Sequence, residues 1–233
     1  MTENIEIIVS RYNEDLKWML EYPFNIFSYI VYNKGINENF EKKNVLKIIN
    51  LNNIGKCDHT YLYHIVENYN DLKNITIFFP GSLDMKIKKE KAIKILNNII
   101  KSDYTKAYFI GKNVNKCISN EFKNFTMDEY VTSYPSNKLI NNKFSINNKC
   151  QKCKIRPYRK WYNYFFGKTI VKWYTYMGIF SIDKKDIIQH SIDRYKILLK
   201  TVSLSINPEA GHYIERSWGA IFYPLVYTEK KHE

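Results

Sequence analysis

The stretch Ile5-Glu6-Ile7-Ile8-Val9-Ser10-Arg11-Tyr12-Asn13-Glu14-Asp15 (residues 5–15) decides the fold class. Ile5, Ile7, Ile8 and Val9 form the short apolar run of a strand buried on both faces, the kind found in parallel sheets. The run passes directly into a polar, charged exit. Similar runs recur at Ile26–Tyr32, Ile75–Phe79 and Ala107–Ile110. Between them the period changes. Leu62, Ile65, Val66 and Tyr69 have the i, i+3, i+4, i+7 spacing of a helix face, and Ala92, Ile93, Leu96, Ile99 and Ile100 do likewise. Strands alternating with helices predict a single α/β domain with a mostly parallel, twisted sheet flanked by helices.

The last third reads differently. Tyr130–Ile182 holds ten Lys and Arg residues and no Asp or Glu. Within it, Lys138–Lys154 reads as a polar loop, Trp161–Phe166 as a dense aromatic cluster, and Val171–Ile182 as a strand broken at Gly178. A long helix is expected to carry Ile188, Ile192, Tyr195, Leu199 and Val202. A final helix opens at Asn207-Pro208-Glu209, with a cap residue, Pro at the first helical position and an acid in the first turn. It is expected to bury Ala210, Ile214, Ser217, Trp218 and Ile221.

Composition narrows the class. The 233 residues carry a formal net charge of +13, with 45% hydrophobic and 16% aromatic residues, too apolar for a disordered chain. Eight Gly and six Pro exclude collagen-like and low-complexity classes. No run approaches the roughly 20 apolar residues of a membrane helix. The opening Met1-Thr2-Glu3-Asn4 lacks the basic and apolar regions of a signal peptide. The expected location is therefore cytoplasmic. Cys57 and Cys117 stand alone, and Cys150 and Cys153 form a single C-x-x-C. A zinc site needs about four ligands, and no second ligand pair follows in sequence, so the pair reads as free thiols.

In an open α/β sheet, ligands bind beyond the carboxyl ends of the strands. Three exits qualify: Ser10–Asp15, then Tyr32-Asn33-Lys34-Gly35, then Pro80-Gly81-Ser82-Leu83-Asp84. Turns are polar in any case, but the first exit holds more side-chain chemistry than a turn requires. There is no G-x-G-x-x-G, P-loop or G-x-S-x-G, and no H-E-x-x-H. On the last helix, Glu215 lies beside the apolar arc of Ile214, Trp218 and Phe222, with His212 three residues earlier on the same side. A carboxylate there reads either as a partly desolvated general base or as a structural partner of an Arg or a backbone amide.

The strings IIVSRYNEDLKWM (7–19), NNIGKCDHTYLYHIVENYNDL (52–72), ITIFFPGS (75–82) and GHYIERSWGAIF (211–222) resemble a domain family of large DNA viruses and fungi without assigned function. Where that family reads N-x-G-R-E-x-H-T-Y-L, this chain has Lys56, Cys57 and Asp58 in the middle. The family in turn resembles GT-A glycosyltransferases, through R-Y-N-E after the first strand and E-R-x-W near the C-terminus. The resemblance implies a nucleotide-binding half at 1–129 and an acceptor half at 130–233. It also implies a host-cytoplasmic location if the chain is viral.

On this reading the chain transfers a sugar from a nucleotide-sugar to a glycan or protein hydroxyl. Arg11, Tyr12, Asn13, Glu14 and Asn33 line the nucleotide side, and Gly81 and Ser82 sit near the diphosphate. Glu215 is the base if the transfer inverts, and His212 positions it. GT-A enzymes normally hold Mn or Mg with D-x-D, and this chain has none. Either Asp84 holds the metal with help from elsewhere, or cations such as Arg156 and Arg159 neutralise the diphosphate. An alternative is a nucleic-acid-binding protein without catalytic activity, since cations interleaved with Tyr and Trp suit phosphate contacts and base stacking.

Overall fold

The computed structural model describes residues 2–130 and 149–233. It is a single α/β domain with a five-stranded mixed sheet in the order β3-β2-β1-β4-β7 and a second, three-stranded sheet in the order β6-β5-β8. β1 (Ile5–Arg11) pairs in parallel with β2 (Tyr29–Asn33) on one side and β4 (Ile75–Pro80) on the other. β3 (Val45–Asn50) continues the parallel sheet beyond β2, while β7 (Phe180–Asp183) runs antiparallel to β4. In the second sheet β5 (Tyr108–Asn113) lies between β6 (Trp173–Tyr174) and β8 (Glu229–His232). The two sheets are joined by Ser181, whose Oγ accepts from Tyr108 N at 2.7 Å and bonds Tyr108 O at 3.0 Å.

Seven α-helices lie among the described residues: α1 (Lys56–Glu67), α2 (Lys86–Lys101), α3 (Ile118–Glu121), α4 (Tyr158–Phe166), α5 (Lys184–Ile188), α6 (Ile192–Val202) and α7 (Glu209–Ile221). Side chains alternate across a strand. Ile7 and Val9 of β1 and Ile75, Ile77 and Phe79 of β4 therefore pack with Ala92, Ile95, Leu96 and Ile99 of α2. Ile8 and Phe78 point the other way, into an aromatic core with Tyr61, Trp161, Tyr213 and Trp218 from α1, α4 and α7. Helices on both faces explain why these strands read as continuous apolar runs.

The observed elements correct several sequence expectations. β2 starts at Tyr29, because Phe24–Ile26 is a 3-10 turn whose Phe24 is buried. β3 is a further strand beyond those expected, at the sheet edge, where Leu46 is 76% exposed. α1 ends at Glu67, with Asn68 N bonded to His64 O, so Tyr69 lies beyond the helix. The Trp161–Phe166 aromatic cluster is helical. Val171–Ile182 is two short strands in different sheets. The long helix divides into α5 and α6, because Asp183 and Ser191 each begin a new helix from extended backbone. The cap of α7 is Pro208, one residue later than the expected Asn207, and Glu209 is the first helical residue. Residues 138–148 of the expected polar loop lie outside the described residues.

Candidate functional site: a cationic cleft at the carboxyl edge of the sheet

Strand order reverses at β1: the chain builds outward through β2 and β3, then crosses back to place β4 on the other side. The ends of β1 and β4 therefore diverge into a crevice, the usual ligand position in such sheets. A cleft of about 190 Å³ opens there.

Its floor is made by the β1 exit. Arg11 is 1% exposed. Its Nε donates to Glu14 O at 2.8 Å, Nη1 to Asn33 Oδ1 at 2.6 Å and Asn37 O at 2.7 Å, and Nη2 to Asn37 Oδ1 at 2.9 Å. The guanidinium also lies 4.5 Å from the centre of the Phe40 ring. These bonds lock the exits of β1 and β2 together. Glu14 turns back on its own loop, where Oε2 accepts from Tyr12 N at 2.8 Å and Asn13 N at 3.0 Å. Gly81 passes close to that carboxylate: a Cβ there would lie 2.7 Å from Glu14 Oε2. A side chain at Gly81 would push the Glu14 carboxylate off its position.

Three lysines complete the lining. Lys34, just after β2, is buried and donates from Nζ to Ile54 O at 2.6 Å and to Lys56 O. Burial pushes it down to about 7. Lys56 opens α1 in a left-handed conformation (φ 51°), directly after Gly55 (φ 59°). Its Nζ lies 3.2 Å from the centre of the Tyr130 ring, and burial pushes it down to about 8. Lys88, in the first turn of α2, donates to Ser82 Oγ at 2.6 Å and is also lowered by burial. Among the described residues, no carboxylate lies within ion-pair distance of these three ammonium groups.

One wall holds acidic groups in a dry setting. The Cys57 thiol lines the cleft and is pushed well up by burial, then by Asp58 and Glu215. Asp58 is buried, accepts from Trp218 Nε1 at 3.2 Å, and is raised well above the usual carboxylate range by burial and then by Glu215. Glu215 is partly exposed on α7. Its Oε1 accepts from Met177 N at 2.9 Å, and its Oε2 lies 3.7 Å from Arg216 Nη1. Its charge acts on Lys56 and Lys88. His212, one turn earlier on α7, is buried with its ring 5.0 Å from that of Tyr130. It is pushed down to about 3 by burial, then by Lys56 and Arg216. Its Nε2 has no hydrogen-bond partner among the described residues.

The structure thus brings Arg11, Tyr12, Glu14, Gly81 and Ser82 to one cleft, with Glu215 and His212 beside it. Asn33 supports the floor through Arg11, and Asn13 Oδ1 accepts from Asn37 Nδ2 at 3.4 Å. Three other residues from the sequence reading do not line the cleft, though the charge of Asp84 acts on Lys88. Arg156 Nη2 is 3.0 Å from Glu209 Oε1 and 3.2 Å from Asp128 Oδ1, and it does not line the cleft. Arg159 lies on α4, outside the lining. Asp84 is exposed in the turn before α2. Of the aromatic residues of α4, Tyr158, Trp161, Tyr162 and Phe166 are core residues, so their faces are closed to a nucleobase, while Tyr164 is exposed. Lys56 and Lys88, absent from the sequence reading as ligands, had one signal each: a departure from the family pattern, and a position one turn after the β4 exit.

A Mn or Mg site fits these residues poorly. Glu14 is the one carboxylate among the described lining residues, and its Oε2 already accepts two amides. No group of three or more His, Cys, Asp or Glu among the described residues is placed to hold a metal ion. The four cysteines are free.

The fold and cleft define an α/β domain with a cationic crevice at its strand switch point. The chain belongs to the family described as Protein of unknown function (DUF3431), which it matches over residues 7–233. A comparison with curated proteins finds no match. No helix of the described residues is long and apolar enough to cross a membrane.

Proposed function

We propose that this chain is a glycosyltransferase that moves a sugar from a nucleotide-sugar donor to a hydroxyl of a glycan or protein. One observation carries the reading: a cationic cleft at the β1–β4 switch point, flanked on α7 by a carboxylate and a neutral imidazole. The β3-β2-β1-β4 order matches the first four strands of the doubly wound nucleotide-binding order. The resemblance of the R-Y-N-E exit and the E-R-x-W helix to GT-A enzymes agrees with it.

In this mechanism Tyr12 and the backbone of the β1 exit face the nucleoside, while Arg11 keeps that exit rigid. The acceptor oxygen attacks the anomeric carbon and forms the new glycosidic bond. Its proton passes to Glu215. The bond from the anomeric carbon to the phosphate oxygen breaks, and its electron pair leaves with the diphosphate. Met177 N holds one Glu215 oxygen and fixes the aim of the other. His212 stays neutral at physiological pH, so its Nε2 serves as a hydrogen-bonding group for the acceptor and does not act as an acid. Charge develops on the departing diphosphate, where fixed cations stabilise it most.

A thermal-shift screen of nucleotide-sugars tests the reading. A ligand at a hundredfold excess over Kd stabilises the folded state by about 2.7 kcal/mol, a rise in Tm of roughly 5–10 °C for a domain of this size. No shift from any nucleotide or nucleotide-sugar at millimolar concentration would refute it.

A further inference from the structure

We infer that the donor's diphosphate is gripped directly by the ammonium groups of Lys56 and Lys88, with Lys34 as the residue that positions Lys56, and that no divalent cation is needed to hold it. The identity of the ligand as a nucleoside diphosphate rests on the transferase reading; the anion site rests on the cleft itself.

The four cations of the cleft are not equivalent. Arg11 directs its donors to Glu14, Asn33 and Asn37. Lys34 points Nζ at two backbone carbonyls. Lys88 and Lys56 keep donor capacity for a ligand. An ammonium group has three N–H bonds; Lys88 directs one at Ser82 Oγ, and Lys56 faces the Tyr130 ring. A cation over an aromatic face is held by the ring quadrupole, and a phosphate oxygen offers a stronger charge-assisted bond. Lys56 can therefore exchange the ring for a ligand.

The backbone is shaped for this task. Lys56 is a non-glycine residue at φ 51°, a conformation that costs energy and persists only where its surroundings enforce it. Gly55, before it, has φ 59°, and a Cβ there would lie 2.2 Å from Val202 O. The left-handed pair presents the Lys56 carbonyl to Lys34 and its side chain to the cleft. Lys34 thus acts through Lys56 and is a positioning residue.

Burying ammonium groups without carboxylate partners is unfavourable. A dianionic or trianionic ligand removes that penalty, and both lysines are already depressed by burial in the free protein. A divalent cation in the same space meets like charge on three sides.

The test is calorimetric titration of inorganic pyrophosphate into the whole chain, with excess EDTA or with Mn²⁺. Wild-type protein should bind pyrophosphate in EDTA. Lys56→Met and Lys88→Met should each weaken binding at least tenfold while Tm stays at or above the wild-type value. Lys56→Arg should restore most of the Lys56→Met loss. Lys34→Met should weaken binding less than either, and only in a protein that retains Lys56. Binding that appears with Mn²⁺ and is absent in EDTA overturns the inference, and this wild-type comparison holds even if a variant misfolds. Binding in EDTA that neither Met variant weakens also overturns it. If pyrophosphate binds through both lysines and no nucleotide-sugar binds, the anion site stands and the transferase reading falls. If a nucleotide-sugar turns over only with Mn²⁺, the transferase reading stands and this inference falls.

Discussion

Arg156 and Lys56 do opposite things with their charge. Arg156 lies against Glu209 and Asp128, and Glu209 is 0% exposed, with Met127 N, Cys153 N and Tyr213 Oη also donating to it. That cluster ties the segment before α4 to the start of α7. Lys56 faces a ring and a cleft. Around Arg156 the aromatic residues fill a core; around Lys56 the neighbouring polar groups border open space. A stretch rich in Arg, Lys, Trp and Tyr is therefore ambiguous until the partners of each cation are known. The Arg-aromatic region is bound into the fold, and the lysine region is where we propose that an anion is received.

Substitutions should separate the two regions, and the largest effect belongs to the cleft. Glu215→Gln should lower turnover by roughly two to four orders of magnitude, with nucleotide-sugar affinity and Tm near wild type. Normal turnover in the folded variant would return Glu215 to a purely structural role beside Met177.

Arg156→Ala should do the reverse. Arg156 is partly exposed and Glu209 keeps three other donors, so losing the charge-assisted bond should cost about 1.5–3 kcal/mol. Denaturant titration should show that loss, while pyrophosphate affinity of the folded protein stays within twofold of wild type. A tenfold loss of affinity with unchanged stability would reverse the assignment of the two regions.

Acid sensitivity sharpens the comparison next. His212 is held down to about 3 when folded and returns to about 6.5 when unfolded. Between those values the unfolded chain binds a proton that the folded chain does not. Stability from this group is complete above about pH 6.5 and is lost as pH falls toward 3. Asp58, raised when folded, works in the opposite direction but is common to wild type and variant. Between pH 7 and 4, His212→Asn should lose roughly 2–3 kcal/mol less stability than wild type. Equal losses in the two proteins would place a charged His212 in the folded state.

The smallest expected effect is that of Lys34→Met. It leaves the carbonyls of Ile54 and Lys56 without their donor but removes a costly buried ammonium. A net loss of about 1 kcal/mol is expected, read by denaturant titration. A loss above about 4 kcal/mol would make Lys34 part of the structural framework alone.

Much of the central sheet is readable in the sequence because β1 and β4 are covered on both faces and their apolar runs are unbroken. β3 is less so: it is an edge strand on which Leu46 and Lys47 are exposed and Val45 and Ile49 are only partly buried against the core. The break between α5 and α6 is hidden because apolar spacing continues across it, and only the Ser191 cap interrupts the backbone. In the cleft, Arg11, Glu14 and Ser82 stand out as residues directly following strands. Lys56 and Lys88 do not: among 36 Lys and Arg residues, neither differs from a solvated lysine until α1 and α2 bring them to one space. Arg156 looks available in sequence because its partner Glu209 belongs to a separate helix.

The most direct measurement of the central claim is release of nucleoside diphosphate from a panel of nucleotide-sugars, for wild type, Glu215→Gln and the Lys56→Met/Lys88→Met double variant. Release from at least one donor by wild type is expected, with a loss of two orders of magnitude or more in both variants and Tm values that show all three proteins folded. Absence of release from every donor, or equal release by all three proteins, would contradict a sugar-transfer site in this cleft.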